Sequence, residues 1–219
     1  MRPVRHPADV PYILRQKIAN GAFNWNGFAI ADKAQVSASL ELLQMGVCAY
    51  CQIRLDSSVG KHIEHLLPKS AYPALTFQWR NLVLSCTQND VSEEILQSEG
   101  VSCGHYKGSR YTPQFISPTE PDCERYFEYR ASDGTIQAAK GLSVPDKSRA
   151  DYTIDLLNIN CPRLCRLRKD MLEQGYGIIA GLRDDKGALA HFLDDEFAEV
   201  RGKVRSFISA RQQHFSVFA

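Results

Sequence analysis

The apolar positions at the start of the chain repeat at helical spacing in two short segments. The first segment begins next to Pro11 and ends at an Asn-Gly pair, as expected for a short amphipathic helix. In the second segment, Asp32 and Gln35 have the spacing of an N-terminal capping box, and Gly46 fits the C-terminal stop. Residues 1–46 are therefore predicted to form N-terminal helices.

Residues 47–110 lack this periodicity and instead carry cysteine, histidine and asparagine at short intervals. Such a pattern is typical of a small module that is held together by metal instead of a large core. The sequence therefore predicts a separate metal-bound module in this part of the chain.

Residues 111–219 begin with a predicted hairpin and continue as helices. Aromatic residues alternate just before Asp133-Gly134, a turn signal typical of hairpins. Leucine, valine and phenylalanine then recur at helical spacing, and one apolar stripe runs from Leu189 to Phe215. Burial in the core is the expected role of this stripe, and docking of a partner is the alternative. The chain as a whole is predicted to be α+β, with the small module embedded in one compact, mainly α-helical unit.

The composition narrows the range of partners. With 44% hydrophobic residues the chain can bury a core, and it contains no apolar stretch long enough to span a membrane. Its amino terminus lacks the apolar run of a signal peptide, so we expect a cytoplasmic protein with no membrane partner. The 26 Lys and Arg residues nearly balance 25 Asp and Glu, which disfavours attraction of nucleic acid to the whole surface.

Any contact with nucleic acid must therefore come from a local patch. Two basic runs on the predicted C-terminal helices are candidate phosphate contacts, and an ordinary solvated helix face is the alternative for each. The residues are Arg163, Arg166, Arg168 and Lys169 in the first run, and Arg201, Lys203, Arg205 and Arg211 in the second.

Seven cysteines in a chain without a secretory signal indicate metal ligands or reactive thiols before disulfides. Cys48 and Cys51 flank a tight turn, where both sulfurs can reach one tetrahedral ion at about 2.3 Å. A redox dithiol is the alternative, but it expects a helix after the motif, whereas Gln52-Ile53-Arg54-Leu55 is predicted to be a strand. Cys86 and Cys103 offer the second pair, and the long insertion between them is tolerable because loop-closure entropy grows slowly. Four thiolates are therefore predicted to hold one structural zinc ion.

A second set of chemical groups lies among these cysteines: the Glu64-His65 pair, Asn81 and His105. A carboxylate beside an imidazole offers an oxygen ligand for Mg²⁺ or Mn²⁺ and a general base, and a later histidine can complete the metal site. In phosphodiester hydrolysis His65 would deprotonate water while the cation neutralises the scissile phosphate. Each residue alone has a structural alternative, such as a surface pair or a turn cap, but their joint occurrence favours a site.

Strand geometry sets a condition on this site. Adjacent residues of a regular strand point to opposite faces, so Glu64 and His65 can serve one phosphate only if the strand ends or bends there. By the same alternation, His62 shares the face of Glu64. It is an alternative metal ligand to His105, or a solvent-exposed histidine. Asn89 is a further alternative ligand, or a turn-forming residue.

Longer motifs surround these residues. They are Cys-x-Tyr-Cys at 48–51, Glu-His-x-x-Pro-Lys-Ser-x-Tyr-Pro at 64–73, Trp-x-Asn-Leu-x-x-Ser-Cys at 79–86, Cys-Gly-His-x-Lys-Gly at 103–108 and Thr-Ile-Asp-Leu-Leu-Asn-Ile-Asn at 153–160. The central motifs resemble those of the HNH, or ββα-metal, nucleases. Together with the helical flanks, the full set resembles the PtuB-like HNH nucleases of Septu and retron anti-phage systems.

The resemblance implies a zinc-stapled ββα-metal module, a structural Zn²⁺ and a catalytic Mg²⁺ or Mn²⁺. It implies that His65 is the general base, that Glu64 is a ligand of the catalytic ion, and that Asn81 orients the loop that bears the base. His105 is the candidate third ligand, although it stands two residues after its cysteine where the commoner form has one. The residues that match the zinc ligands are Cys48, Cys51, Cys86 and Cys103.

The resemblance also implies partners. The chain contains no Gly-rich Lys-Ser/Thr phosphate loop, so it is not itself predicted to be an ATPase. We expect an ABC- or SMC-type ATPase subunit similar to PtuA, a DNA or RNA substrate, and a retron RNA–DNA as a further candidate partner. The predicted function is that of the effector nuclease of an anti-phage complex. The alternatives are a zinc-stabilised nucleic-acid-binding adaptor without turnover and a redox protein that uses Cys48 and Cys51.

Overall fold

The structure, a computed structural model, describes residues 1–21, 24–56, 60–87 and 100–219. The predicted mixture of helices and small sheets is confirmed. The helices are α1 (Tyr12–Ala19), α2 (Ile30–Leu43), α3 (Cys103–Lys107), α4 (Val144–Leu157), α5 (Pro162–Leu182), α6 (Lys186–Phe197) and α7 (Ile208–Phe215). The strands are β1 (Lys61–His65), β2 (Leu82–Cys86), β3 (Phe127–Tyr129) and β4 (Ile136–Ala138), which form two antiparallel pairs, β1–β2 and β3–β4.

The pair β1–β2 is the framework of the central region. Its register places Lys61 opposite Cys86 and His65 opposite Leu82. All five residues of β2 are buried. The side chain of Gln44, just after α2, donates to the carbonyl oxygen of Leu84 at 3.0 Å and accepts from its backbone N–H, which joins the N-terminal helices to the sheet.

The capping box predicted at Asp32 is wrong. Helix α2 begins at Ile30, and Ala29 takes the N-cap position without a side-chain hydrogen bond, so Asp32 lies inside the first turn. There its carboxylate still faces the positive end of the helix dipole. The stop at Gly46 is confirmed, since Gly46 has a φ of +72° and its N–H donates to the carbonyl oxygen of Glu41 at 2.9 Å.

The strand predicted for Gln52-Ile53-Arg54-Leu55 is also wrong. Only Arg54 pairs, in an isolated bridge with Val47, and Gln52 has a φ of +65°. The chain must reverse directly after Cys51 to keep both sulfurs on one side, so the Gln52 N–H donates back to the Cys48 carbonyl at 3.1 Å. The alternating pattern therefore belongs to a tight turn.

The C-terminal part follows its pattern more closely. The predicted hairpin is confirmed as β3–β4. The apolar stripe from Leu189 to Phe215 extends over α6, α7 and the connection between them, and its members Leu193, Phe207 and Phe215 are buried, which supports the core interpretation. Among the residues that the structure describes, no helix combines the length and apolar character needed to cross a bilayer.

Candidate functional site

Four buried cysteines from three places in the chain form one cluster. Cys48 and Cys51 lie on the tight turn, Cys86 ends β2 and Cys103 begins α3. Their sulfur atoms all lie within 4.8 Å of one another, and Sγ of Cys51 is 3.7 Å from Sγ of Cys86. Tetrahedral zinc with bonds of 2.3 Å places its sulfurs about 3.8 Å apart. The spacing and the thiol donor set therefore fit a structural zinc ion.

The surroundings of the cluster favour a cation. Burial, and then hydrogen bonds from the three other cysteines, raise the pKa of the Cys103 thiol well above its usual value. A bound metal is the natural compensation for several thiolates in one buried space. Cys123, Cys161 and Cys165 lie outside the cluster, the first two buried and the third partly exposed.

Glu64 lies on β1 next to this cluster and is nearly buried. Its Oε1 accepts a hydrogen bond from Nζ of Lys107 at 2.8 Å, and its Oε2 is 3.5 Å from Nε2 of His62. Burial alone would raise the pKa of Glu64, but the hydrogen bond with His62 and the positive charge of Lys107 outweigh it and lower the pKa. The carboxylate is therefore ionised and able to hold a cation.

Two more groups lie on the same side of the hairpin. The rings of His62 and His105 are 4.4 Å apart between centroids. Gly104 leaves space in front of Glu64, because a Cβ atom there would be 2.7 Å from Nε2 of His62 and 2.9 Å from Oε2 of Glu64. The space beside Gly104 and the oxygen and nitrogen donors around it fit a divalent cation.

The candidate ligand atoms of Glu64, His62 and His105 do not all lie within 4.8 Å of one another. Within the described residues, only the four-cysteine cluster has three or more potential ligand atoms of His, Cys, Asp or Glu all within 4.8 Å of one another. The structure thus brings His62 to Glu64, as the strand alternation predicts, and places the ring of His105 beside that of His62 at an interplanar angle of 58°. Asn89, the other alternative ligand, lies outside the described residues.

His65 ends β1 and makes a different set of contacts. Its Nε2 is 3.0 Å from the carbonyl oxygen of Thr76, and its ring meets the Trp25 ring edge-on at 4.7 Å. A carbonyl oxygen only accepts, so Nε2 carries the hydrogen and Nδ1 keeps a lone pair. Nδ1 has no hydrogen-bond partner within the described part of the chain. Burial is the main cause that lowers the pKa of His65 to about 4, so the imidazole is neutral at neutral pH.

Asn81 ties together the connection between β1 and β2. Its Oδ1 accepts from the Leu67 N–H at 2.8 Å, and its Nδ2 donates to the carbonyl oxygens of Leu67 and Leu75, both at 3.1 Å. Leu75 directly precedes Thr76, whose carbonyl oxygen is the hydrogen-bond partner of His65. The buried amide therefore sits where it can hold the loop on which His65 depends.

Sequence reasoning assigned no role to three residues of this region. Lys107 occurs in the Cys-Gly-His-x-Lys-Gly motif, and that spacing was its one available signal. Thr76 acts through its main-chain carbonyl, which every residue type carries, so the sequence holds no signal for this role. Trp25 is distant from the motifs in the sequence, and only the fold brings its ring to His65.

The geometry defines a mixed α/β protein with a four-cysteine metal-type centre beside a hairpin that carries a carboxylate and a neutral imidazole. No family model matches the chain. It is 30% identical over 162 residues to a protein assigned as the HNH endonuclease of retron Vc95 from Vibrio cholerae serotype O1 biovar El Tor, covering 73% of this chain and 74% of that protein.

Two further relatives carry related names. The chain is 24% identical over 205 residues to the assigned HNH endonuclease of retron Ec83 from Escherichia coli, covering 78% of this chain and 79% of the relative. It is 40% identical over 65 residues to Septu protein PtuB from Bacillus thuringiensis, covering 29% of this chain and 25% of that protein. The chain belongs to the family of Septu PtuB proteins and retron-associated HNH endonucleases, as the sequence motifs predicted.

Proposed function

We propose that this protein is a metal-dependent HNH endonuclease that hydrolyses phosphodiester bonds in nucleic acid. The single observation that carries the proposal is the tautomer of His65, whose Nε2–H donates to Thr76 and leaves Nδ1 as a base, one residue from the ionised Glu64. The names of its relatives, which are HNH endonucleases of retrons and Septu PtuB proteins, support the same activity.

The chemistry assigned to the chain begins with a proton transfer. The neutral imidazole of His65 accepts a proton at Nδ1 from the water that attacks phosphorus, as a general base. The carbonyl oxygen of Thr76 keeps the ring in this tautomer and stabilises the imidazolium that forms. Asn81 acts as a positioning residue, because it holds the loop that presents Thr76.

We assign the catalytic cation to the other side of the strand. Glu64 would supply one carboxylate oxygen, with His62 and His105 as imidazole ligands, and Gly104 provides the space. A divalent cation bound there would neutralise the scissile phosphate and the leaving oxygen. Mg²⁺ and Mn²⁺ are both candidates for this position, because both bind carboxylate oxygens such as those of Glu64. The four cysteines would hold zinc as a separate, structural ion.

Partners follow from the relatives. Two Septu PtuB proteins are among them, and we propose that the chain is the effector subunit of an anti-phage complex with a PtuA-like ATPase of the ABC or SMC type. The retron relatives make a retron RNA–DNA a further candidate partner. In this proposal residues 47–110 are the nuclease module, and residues 1–46 and 111–219 enclose it.

Replacement of the base tests the proposal. The protein co-purified with its ATPase subunit is assayed with Mn²⁺ on plasmid, single-stranded DNA and RNA. His65→Ala should reduce the cleavage rate by about 10²- to 10⁴-fold and retain the zinc content of the wild type. His191→Ala, at an exposed position of α6, is the matched control and should cleave normally. If His65→Ala cleaves at the wild-type rate, the proposal is overturned. If the wild-type protein binds nucleic acid but cleaves none of the substrates, it is an adaptor.

A further inference from the structure

The two basic runs predicted on the C-terminal helices do not present a free cationic surface, and of the second run only Arg211 belongs to a helix, α7. Six of their eight side chains are engaged by neighbouring groups, and a seventh, Arg163, is buried. Arg168 is fully buried and donates to the carbonyl oxygens of Gly134 and Ile159 at 2.6 and 2.7 Å. The ion pairs are Arg166–Asp170, Lys169–Glu173, Lys203–Glu41, Arg205–Asp195 and Arg211–Glu196. Of the two alternatives for these runs, the contacts favour ordinary helix-face and core pairing over phosphate binding.

A different group of lysines lies on the N-terminal helices and the loop after β1. Lys17 on α1 and Lys33 on α2 make no ion pair with any carboxylate that the structure describes. Each ammonium lies instead over an aromatic ring, Lys17 at 5.5 Å from the centre of Phe28 and Lys33 at 5.8 Å from the centre of Trp25. A cation over a ring face keeps its full charge and remains available to an anion from solvent.

These rings lead directly to the candidate base. Trp25, Phe28 and Phe77 contact one another with centroid distances of 5.0 to 5.5 Å, and Trp25 meets the ring of His65 at 4.7 Å. One aromatic side chain therefore separates Lys33 from His65. The exposed Lys69, four residues after His65, adds a third positive charge close enough to act on the imidazole electrostatically.

The order of these groups along the surface suits a nucleic-acid backbone. A strand carries a phosphate every 3.4 Å along the helix axis of a duplex. Lys33 and Lys17 lie one and two aromatic rings away from His65, so a strand whose scissile phosphate is presented to His65 can carry its next phosphates across α1 and α2. Lysine contacts phosphate as a point charge and does not read base sequence.

We propose that Lys17 and Lys33 bind the backbone phosphates of the nucleic-acid strand that flanks the bond presented to His65. This rests on the proposed nuclease function and deepens it, since it assigns the substrate-binding surface to the N-terminal helices outside the nuclease module. Binding through this surface is sequence-independent and weakens with salt.

The test measures binding apart from cleavage. All variants carry His65→Ala, so that fluorescent single-stranded and duplex oligonucleotides stay intact, and affinity is followed by anisotropy over a series of salt concentrations. Lys17→Gln with Lys33→Gln should weaken binding roughly tenfold or more at low salt, and should reduce the slope of log K against log salt by about 1.8 on duplex or 1.4 on single strands. Lys17→Arg with Lys33→Arg keeps both charges and should retain affinity.

A matched control comes from the other end of the chain. Lys186 begins α6, is exposed and makes no ion pair with the described residues, so Lys186→Gln should leave affinity and slope unchanged. Zinc content and melting temperature verify the fold of every variant. Unchanged affinity and slope in the double Gln variant would overturn the proposal. So would normal nucleic-acid binding combined with loss of the ATPase subunit, since the surface would then dock a protein.

The outcome is separable from that of the nuclease proposal. In a background with His65 intact, a double Gln variant with wild-type KM and rate overturns only the phosphate contacts. Conversely, suppose that the wild-type protein binds nucleic acid without cleaving it, while the double Gln variant loses that binding. This result supports the phosphate contacts and overturns the nuclease proposal.

Discussion

The ammonium of Lys107 lies 2.8 Å from Oε1 of Glu64, and the Lys107 side chain is fully buried. The same Nζ donates to the main-chain carbonyl of His65 at 3.0 Å. A single lysine on α3 thus fixes both members of the Glu64-His65 pair, one through its carboxylate and one through its backbone. Since Oε1 is occupied by Lys107, Oε2 is the oxygen that faces His62 and the space beside Gly104.

Lys107→Met should therefore destabilise the protein and change its response to metal. A buried carboxylate that loses its partner costs about 3–5 kcal/mol of the free energy of unfolding. Added Mn²⁺ should recover part of this loss, because the cation replaces the missing positive charge beside Glu64. Urea unfolding with and without Mn²⁺ measures both effects.

The control for this variant is Lys140→Met. Lys140 pairs with Glu128 at 3.4 Å on the surface, where such a pair contributes at most about 1 kcal/mol. An equal loss in the two variants, or no response of Lys107→Met to Mn²⁺, would mean that Lys107 does not govern the charge of Glu64.

The sequence predicts the members of the site better than their arrangement. The four cysteines could be grouped because thiolates at such spacings have few other uses, and the fold brings them together. The sharing of one face by Glu64 and His62 follows from strand alternation alone. The placement of His105 could not be derived, because it depends on how α3 packs across the hairpin.

Other features could not be predicted from the sequence, because they depend on main-chain atoms or on packing between residues that are distant in the chain. The partner of His65 is the carbonyl of Thr76, and its cover is the ring of Trp25 from the N-terminal region. The two basic runs were candidate phosphate contacts with a solvated helix face as the alternative, but ion pairs such as Arg166–Asp170 and Arg211–Glu196 already engage most of their side chains. Charge alone does not reveal whether a cation is already paired.

Gly104→Ala should remove the catalytic cation and leave the structural one. The new Cβ would meet the ends of the His62 and Glu64 side chains at 2.7 and 2.9 Å, and such ends can rotate away without disturbing the backbone. Calorimetry should show loss of Mn²⁺ binding, while zinc content stays at the wild-type level. Gly177→Ala, on α5 at a position where an added Cβ has open space beyond its own helix backbone, should bind Mn²⁺ normally. Normal Mn²⁺ affinity in Gly104→Ala would place the cation elsewhere.

Cys48→Ser should unfold the central module. Four buried thiols gathered within 4.8 Å would be stabilised by a shared zinc ion, and structural zinc supplies much of the folding free energy of a small module. Metal analysis should find about one zinc per wild-type chain and none in Cys48→Ser, with loss of the cooperative unfolding transition.

Cys165→Ser is the matched replacement outside the cluster and should keep both zinc and stability. A Cys48→Ser protein that stays folded and active without zinc would refute the assignment of this centre.

Asn81→Ala should reduce the rate of cleavage more than substrate binding. The variant leaves the N–H and carbonyl of Leu67 and the carbonyl of Leu75 without a partner, at a cost of about 1–3 kcal/mol of stability. The loop that presents Thr76 to His65 then loses its brace. Asn160→Ala also loses three hydrogen bonds, two with Ile136 and one from Arg168, and should match the loss of stability without the loss of rate. Equal losses of rate and binding in Asn81→Ala would contradict a positioning role.

The pKa of His65 makes a prediction about pH. In the folded protein burial lowers it to about 4, whereas an unfolded histidine titrates near 6.5. The unfolded chain therefore binds this proton more readily, so the contribution of His65 to stability is complete above about pH 6.5 and is lost as the pH falls towards 4. The cleavage rate should likewise show its acid limb near pH 4, because Nδ1 is a base only while the ring is neutral.

Trp25→Ala separates the titration of His65 from that of the carboxyl groups, which also titrate at acidic pH. Removal of the indole exposes the imidazole, so the pKa of His65 should rise towards 6.5 and the acid limb of the rate profile should move with it. Tyr12→Ala removes an exposed aromatic ring of α1 that does not contact His65, and its profile should remain that of the wild type. Nuclear magnetic resonance of the imidazole protons measures the pKa directly. A wild-type His65 that titrates near 6.5, or no change in Trp25→Ala, would show that its buried contacts do not set its basicity.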